Sequence, residues 1–391
     1  MNTYIKQLAD KYLGYLLIIL FLPITRLLGI VLKRNHLLKS APSTILFIKI
    51  LGLGSLLVSS ESIRVIKKKY PRTKLILLTD YNIAKGIKPF NLFDELWTVE
   101  SNNILAVLSG SVRFLFQSWK LKKLWVVDLE VYSKLTTVYS LMTFALNRFG
   151  FYLSPVFFRK YLNTHNVFFD QSAFLEDSYL HMAEIVTGEA INHTNSVKPI
   201  RKEEQLKPFI ALNNTCSDLA YVRKLPDQTF ATICQWLLEN TSYNLVLLGA
   251  PKDKEMTDQF LQKNTLLISQ KNRIVNFAGT NDFEVYYRFL SEQCVCLITI
   301  DSGPLHIARA LGLPTLSIWG PTNPQNYLKI LPEEQNKHLY YYSKVHCSPC
   351  IHHFEKLPCG GDNFCMKIIE TNLIIEKIKN LLSYAGSSHL A

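Results

Sequence analysis

The residues with the clearest chemical meaning sit between two apolar runs in residues 294–323, CVCLITIDSGPLHIARALGLPTLSIWGPTN. Asp301, Ser302 and Gly303 break the first run, and Pro304 and His306 follow within one helical turn. A Ser-Gly turn feeding a helix presents unpaired backbone N–H groups and the positive end of the helix dipole, which suits a phosphate or diphosphate. Gly303 lets the backbone approach a ligand closely. Pro304 fits the first helical position, where its missing N–H costs nothing. His306 can donate to the same anion. Asp301 repels phosphate and is better suited to accept from sugar hydroxyls. Gly320 and Thr322 close the second run and complete the loop set. Taken singly, each residue also fits a capped, buried helix with a satisfied histidine.

These groups need a scaffold, and the pattern around them supplies one. Residues 294–300 form a continuous apolar run of the kind buried on both faces of a parallel sheet. Leu305, Ala308 and Leu311 follow at helical spacing, Gly312 stops the helix, and 315–318 is a second strand. Ligands of such βαβ units sit at the carboxyl ends of the strands. The pattern recurs near the start of the chain. Residues 44–50 read as a strand, and Gly52, Gly54 and Ser55 lead into a helix carrying Ile63, Ile66 and Tyr70. Residues 74–78 form the next strand. A lone G-x-G is too weak to mark a dinucleotide site. The strand 124–127 ends in Asp128-Leu129-Glu130, whose two carboxylates point to one side of an extended chain. A carboxylate there can take a proton from a sugar hydroxyl, or it can simply bond loops or pair with Lys134. After the strand 209–212 come Thr215 and Ser217, then Arg223 and Lys224. The two cations can neutralise a diphosphate leaving group, or form a solvated surface. Gly249 closes the strand 244–248 and offers a wall for a nucleotide base or ribose.

The whole string D-S-G-P-x-H-x-A-x-A-x-G-x-P-x5-G-P-T, from Asp301 to Thr322, resembles the donor segment of the heptosyltransferase-like glycosyltransferases, family 9. The resemblance implies an α/β fold of the GT-B type, two Rossmann-like domains facing a central cleft. It implies transfer of a sugar, heptose above others, from a nucleotide-diphosphate donor such as ADP-heptose. The acceptor would be lipopolysaccharide core or a related lipid-linked surface glycan, and direct displacement would invert the anomeric centre. Family members carry an Asp after the first Gly-rich turn as a candidate base; here Ser55 stands there, so Asp128 and Glu130 are its substitutes. Arg223 and Lys224 match the family's basic position, with Leu225 replacing an aromatic residue. GT-B enzymes stabilise the diphosphate without a catalytic metal, and the final helix commonly packs back onto the first domain. Two rivals stay open: a nucleotide-sugar epimerase, and a non-catalytic relative binding nucleotide sugar or glycan, which Ser55 would explain.

A length of 391 residues calls for two domains, and 48% apolar composition allows two cores. The expected division is a hydrophobic segment 1–40, an acceptor domain 41–192, a linker 193–207, a donor domain 208–345 and a cysteine cluster with terminal helix 346–391. The net charge of +12 favours anionic partners: a membrane surface or phosphorylated ligands, with nucleic acid unsupported by any motif. Residues 12–32 are long and apolar enough to span a bilayer, with Pro23 inside and basic flanks. A spanning anchor, an interfacial helix or hairpin broken at Pro23, and a helix buried on the first domain all fit; the first two place the protein on the cytoplasmic face of the inner membrane. Cys347, Cys350, Cys359 and Cys365 cluster near the end, where structural zinc, free thiols and disulfides are the alternatives.

Overall fold

The computed structural model describes residues 3–100, 104–191, 208–216, 218–264, 267, 269–280, 282–351, 353–354 and 356–387. They divide into two units, Met1–Asn195 and Ser196–Ala391. The expected linker 193–207 lies outside the described residues.

The first unit is a six-stranded parallel sheet: β1 (Thr44–Ile48), β2 (Lys74–Asp80), β3 (Glu95–Val99), β4 (Leu124–Asp128), β5 (Asn147–Tyr152) and β6 (His165–Phe168). Its order is β3-β2-β1-β4-β5-β6. The helices are α1 (Thr3–Val31), α2 (Leu53–Val58), α3 (Ser60–Lys69), α4 (Tyr81–Ile87), α5 (Ile104–Trp119), α6 (Lys134–Met142) and α7 (Leu175–Thr187). Central strands are apolar on both faces because helices cover both; β1 and β4 are buried at every position. Ile48 lies beside Asp128 in the register, so the β1 loop and the β4 carboxylates emerge together at the point where strand order reverses.

The second unit repeats the plan with β7 (Phe209–Asn213), β8 (Asn244–Leu247), β9 (Ile274–Asn276), β10 (Cys294–Ile300), β11 (Thr315–Trp319) and β12 (His338–Tyr342). The order β12-β11-β10-β7-β8-β9 is the same topology, all parallel, with its reversal between β7 and β10. Its helices include α8 (Asp227–Asn240), α9 (Lys254–Lys263), α10 (Phe283–Gln293), α11 (Gly303–Ala310) and α12 (Thr371–Ser387). Ile374, Ile378 and Leu381 of α12 are buried against the second unit's own sheet, beside β10, β11 and β12. Its single apolar stripe completes the core of that unit.

The N-terminal helix is continuous through Pro23, so it is not a hairpin broken there. Asp10 accepts from the backbone N–H of Lys134 at 3.1 Å and of Leu135 at 2.9 Å, and from Ser133 Oγ at 2.8 Å, holding the start of α6. Gly14 is pressed onto α6: a Cβ there would stand 2.6 Å from Lys134 Cβ. Ile18 is buried with Val138 and Leu141. The opposite face leaves Leu16, Ile19, Leu20, Leu27 and Ile30 exposed. One face of α1 is thus docked on the first unit and the other is apolar and uncovered.

Candidate active site

At the β1–β4 end of the first unit, the two carboxylates have different surroundings. Asp128 is the last residue of β4 and is buried. Its Oδ2 accepts from Arg159 Nη2 at 3.0 Å and Thr136 Oγ1 at 2.9 Å, and its Oδ1 accepts from the Glu130 N–H at 3.0 Å. Arg159 is itself wholly buried and also donates to the carbonyls of Glu130 and Ser133. Burial pushes the Asp128 carboxyl up to about 6, against the opposing pull of Arg159. This is the environment of a structural anchor.

Glu130 reaches instead to the first Gly-rich loop. Its Oε1 accepts from the Leu51 N–H at 2.8 Å and its Oε2 from Lys49 Nζ at 2.9 Å. Lys49 follows β1 and is buried; burial works to lower its pKa, but Glu130, Tyr179 and Asp128 together outweigh this and leave it above its ordinary value. Gly52 holds φ +87°, a conformation open to glycine, and a Cβ there would meet Ser55 Oγ at 2.7 Å. Gly54 lies in the first turn of α2. Ser55 Oγ donates to the Gly52 carbonyl at 2.9 Å and hydrogen-bonds the buried Tyr179 hydroxyl. A carboxylate just after β4 therefore serves the loop that carries Ser55.

In the second unit the β7 and β10 ends are tied together. Asn213 Nδ2 donates to Ser302 Oγ at 2.9 Å and Thr299 Oγ1 at 3.1 Å, and Asn213 Oδ1 accepts from Thr215 Oγ1 at 2.9 Å. Ser302 precedes α11 but its hydroxyl faces this network, and no side chain caps the helix. Pro304 has no N–H and the Leu305 N–H donates to the Ser302 carbonyl at 3.2 Å, so the start of α11 offers a ligand the Gly303 N–H and the positive end of the helix dipole. Pro304 occupies the first turn, and Gly303 is exposed with open space where a Cβ would stand. His306 is half-buried; burial lowers its pKa to about 4, Asp301 opposing and Arg309 and Arg223 reinforcing. It is a neutral hydrogen-bond partner at physiological pH.

Asp301 has a different place from the one its chemistry alone implied. Its Oδ2 accepts from Thr322 Oγ1 at 2.6 Å and pairs with Arg223 Nε at 3.3 Å, with Asp301 and Thr322 buried and Arg223 half-buried. It anchors the cation and the threonine beside the start of α11. Asn214 makes a two-way bond with the backbone of Leu225, accepting at 2.8 Å and donating at 3.1 Å, and so fixes the Arg223–Lys224 loop. A pocket of about 380 Å³, counting its open mouth, is lined by Asn214, Thr215, Lys224, Phe230, Met256 and Phe260 among others. Gly249 is needed for packing, since a Cβ would stand 3.0 Å from Ala278 Cβ and 3.1 Å from Asp253 Cβ. Ser217 lies outside the described residues.

The cysteine segment braces these loops. Ser348 Oγ donates to the Gly320 carbonyl at 2.7 Å, and the Cys350 N–H donates to the Pro321 carbonyl at 3.0 Å. Asn363 Nδ2 donates to the Lys224 carbonyl at 3.0 Å. Cys347, Cys350, Cys359 and Cys365 are free thiols. Burial raises Cys365 to about 11, with Cys350, Cys347 and Cys359 adding to it. Among the described residues no three His, Cys, Asp or Glu side chains gather as a metal site.

Two parallel six-stranded units of identical order, each with its polar groups at the switch point, define the two-Rossmann GT-B architecture. Residues 176–359 match the model of glycosyltransferase family 9 (heptosyltransferase). It is 26% identical over 140 residues to lipooligosaccharide heptosyltransferase 2 of Haemophilus influenzae, covering 33% of this chain and 40% of that protein. To lipopolysaccharide heptosyltransferase 2 of Salmonella typhimurium it is 31% identical over 102 residues, 26% of this chain and 28% of that protein. The chain thus spans about two fifths or less of the length of these curated relatives. Its fold matches a family 9 glycosyl transferase from Veillonella parvula with a TM-score of 0.68 at 17% identity, over 90% of this chain and 100% of that one. It also matches an E. coli heptosyltransferase solved with ADP, with a TM-score of 0.63 at 12% identity, over 86% and 99%.

The residues missed from sequence are Lys49, Arg159 and Tyr179 in the first unit and Asn213 and Thr299 in the second. Lys49 carried a readable signal, a lone charge in the apolar run TILFIKI that demands a counter-ion once buried.

Proposed function

We propose that the chain is a glycosyltransferase that moves heptose from ADP-heptose onto a lipid-linked lipopolysaccharide core, inverting the anomeric centre. The observation that carries this reading is the second unit's anion site: an uncapped helix start with Arg223 held beside it by Asp301. The curated relatives, named as heptosyltransferases, support the sugar, and the ADP held by the E. coli structure supports the nucleotide. Arg223, the Gly303 N–H and the positive end of the α11 dipole take up charge on the diphosphate as the sugar–oxygen bond breaks and its electron pair leaves with ADP. His306 donates as a neutral imidazole. Thr215 and Lys224 wall the nucleotide pocket. Glu130 takes the proton of the attacking acceptor hydroxyl, with Lys49 and the Leu51 N–H holding it in place, while Asp128 positions the β4 loop through Arg159.

The exposed apolar face of α1 supports attachment to the cytoplasmic face of the inner membrane, as an interfacial helix docked on the first unit. The test is release of ADP from ADP-heptose with and without a core acceptor. Acceptor-dependent release that Glu130→Gln abolishes is expected. Release indifferent to acceptor would fit an epimerase or hydrolase. ADP binding with no release under any condition would favour the second reading, a non-catalytic relative, to which Ser55 in the first loop lends weight.

A further inference from the structure

We propose that α5 and the basic turn after it form a second contact with an anionic bilayer, beside α1; the proposal rests on reading α1 as an interfacial helix. The inward side of α5 buries Phe114 and Leu115 in the core of the first unit. Its outward side carries Leu108, Val112, Phe116 and Trp119, exposed by 54%, 52%, 58% and 48%. Their spacing of four, four and three residues puts them on one stripe. A helix facing water would carry polar residues there.

Three observations join this stripe to α1 and name its occupant. The first is continuity. The two helices pack on α6, and their ends meet at the turn that follows it. The Trp119 indole N–H donates to the Met142 carbonyl at 2.7 Å and the ring stacks on Phe144 at 6.2 Å. Arg34 Nη1, just beyond α1, donates to the carbonyls of Phe144 and, at 3.3 Å, Ala145. The second is charge. Lys120, Lys122 and Lys123 are exposed directly after the stripe, and Lys33 is exposed after α1. No acidic residue occurs between Asp10 and Glu61, or between Glu100 and Asp128. The third is the tryptophan. Much of its ring faces outward at the basic end of the stripe, and tryptophan is enriched at membrane–water interfaces. A second copy of the chain, pairing the same patch with itself, would set these cations against one another. Anionic lipid relieves them, at about 1 kcal/mol for each cation near the surface.

The test uses the full chain and phosphatidylcholine vesicles with and without phosphatidylglycerol, read by co-sedimentation. The variants are Val112→Glu with Phe116→Glu, and Lys120→Glu with Lys122→Glu and Lys123→Glu. Leu16→Glu with Ile19→Glu serves as the α1 comparison. All substituted side chains are exposed, and circular dichroism confirms that each variant folds. Each α5 variant is expected to lose affinity for anionic vesicles at least tenfold. If the α1 variant loses binding and the α5 variants bind like the unaltered chain, the α5 contact is wrong and the α1 reading stands. If the unaltered chain ignores anionic vesicles, both fail. If it self-associates without lipid and Phe116→Glu abolishes that, the patch is a protein interface and the proposal is overturned.

Discussion

Replacing Asp128 by alanine should damage stability, whereas replacing Glu130 by glutamine should damage turnover. Asp128 faces a guanidinium with no solvent exposure, and its two oxygens accept three hydrogen bonds from Arg159, Thr136 and Glu130. Removing it leaves Arg159 buried without a counter-charge, which costs about 3–5 kcal/mol. For a unit of this size, where each kcal/mol moves the midpoint by about 2–4 °C, the melting temperature should fall by about 6–20 °C. Such a loss is a large part of an ordinary domain stability of about 5–15 kcal/mol. Glu130→Gln keeps an acceptor for the Leu51 N–H and a neutral partner for Lys49. The buried Lys49 loses its counter-charge but keeps a neutral hydrogen-bond partner and, unlike Arg159, can give up its proton, so the midpoint should fall less than in Asp128→Ala, while kcat falls by about 10²–10⁴ with the loss of a general base. Thermal melts and initial-rate kinetics on the same preparations separate the two. If Asp128→Ala melts like the unaltered chain and loses more turnover than Glu130→Gln, the assignment is reversed and Asp128 is the base.

The remaining predictions concern the donor unit. Gly320→Ala would place a Cβ 2.6 Å from the Met366 sulfur and 2.9 Å from Cys365 Sγ, so it should destabilise by about 1–3 kcal/mol in urea titration and weaken nucleotide binding with it. His306 has a folded pKa of about 4, below its ordinary value, so its contribution to stability is present at neutral pH and is lost as pH falls from about 6.5 through about 4. Its ring resonances should stay those of a neutral imidazole from pH 8 to pH 5 in an NMR titration, and His306→Gln should flatten the stability profile over the acid window.

What could be read in advance follows from burial. β1, β4, β7 and β10 were legible because central parallel strands are apolar on both faces. β3, β6 and β12 were not, because each lies at or near a sheet edge with half-exposed positions and no continuous apolar run. The site was legible as a place, since strand ends flanked by Gly and polar residues mark the switch points of both sheets. The roles within it were less so. Asp301 reads as a free acceptor until Arg223, 78 residues earlier, is seen beside it. Asp128 and Glu130 look equivalent at two-residue spacing; Arg159 and Lys49 distinguish them, and neither pairing has a local signature. The crowding at Gly249 had no local signature either, because Ala278 and Asp253, which stand 3.0 Å and 3.1 Å from where its Cβ would be, come from two other elements.

The central claim is that the second unit holds a nucleotide diphosphate against Arg223 and the start of α11. Calorimetry of the full chain with ADP, UDP, GDP and CMP, beside Arg223→Ala, tests it most directly. The account predicts selective binding of ADP, weakened at least about tenfold in the variant by loss of a charge-assisted contact. Binding of no nucleotide, or ADP binding that Arg223→Ala leaves unchanged, would contradict it.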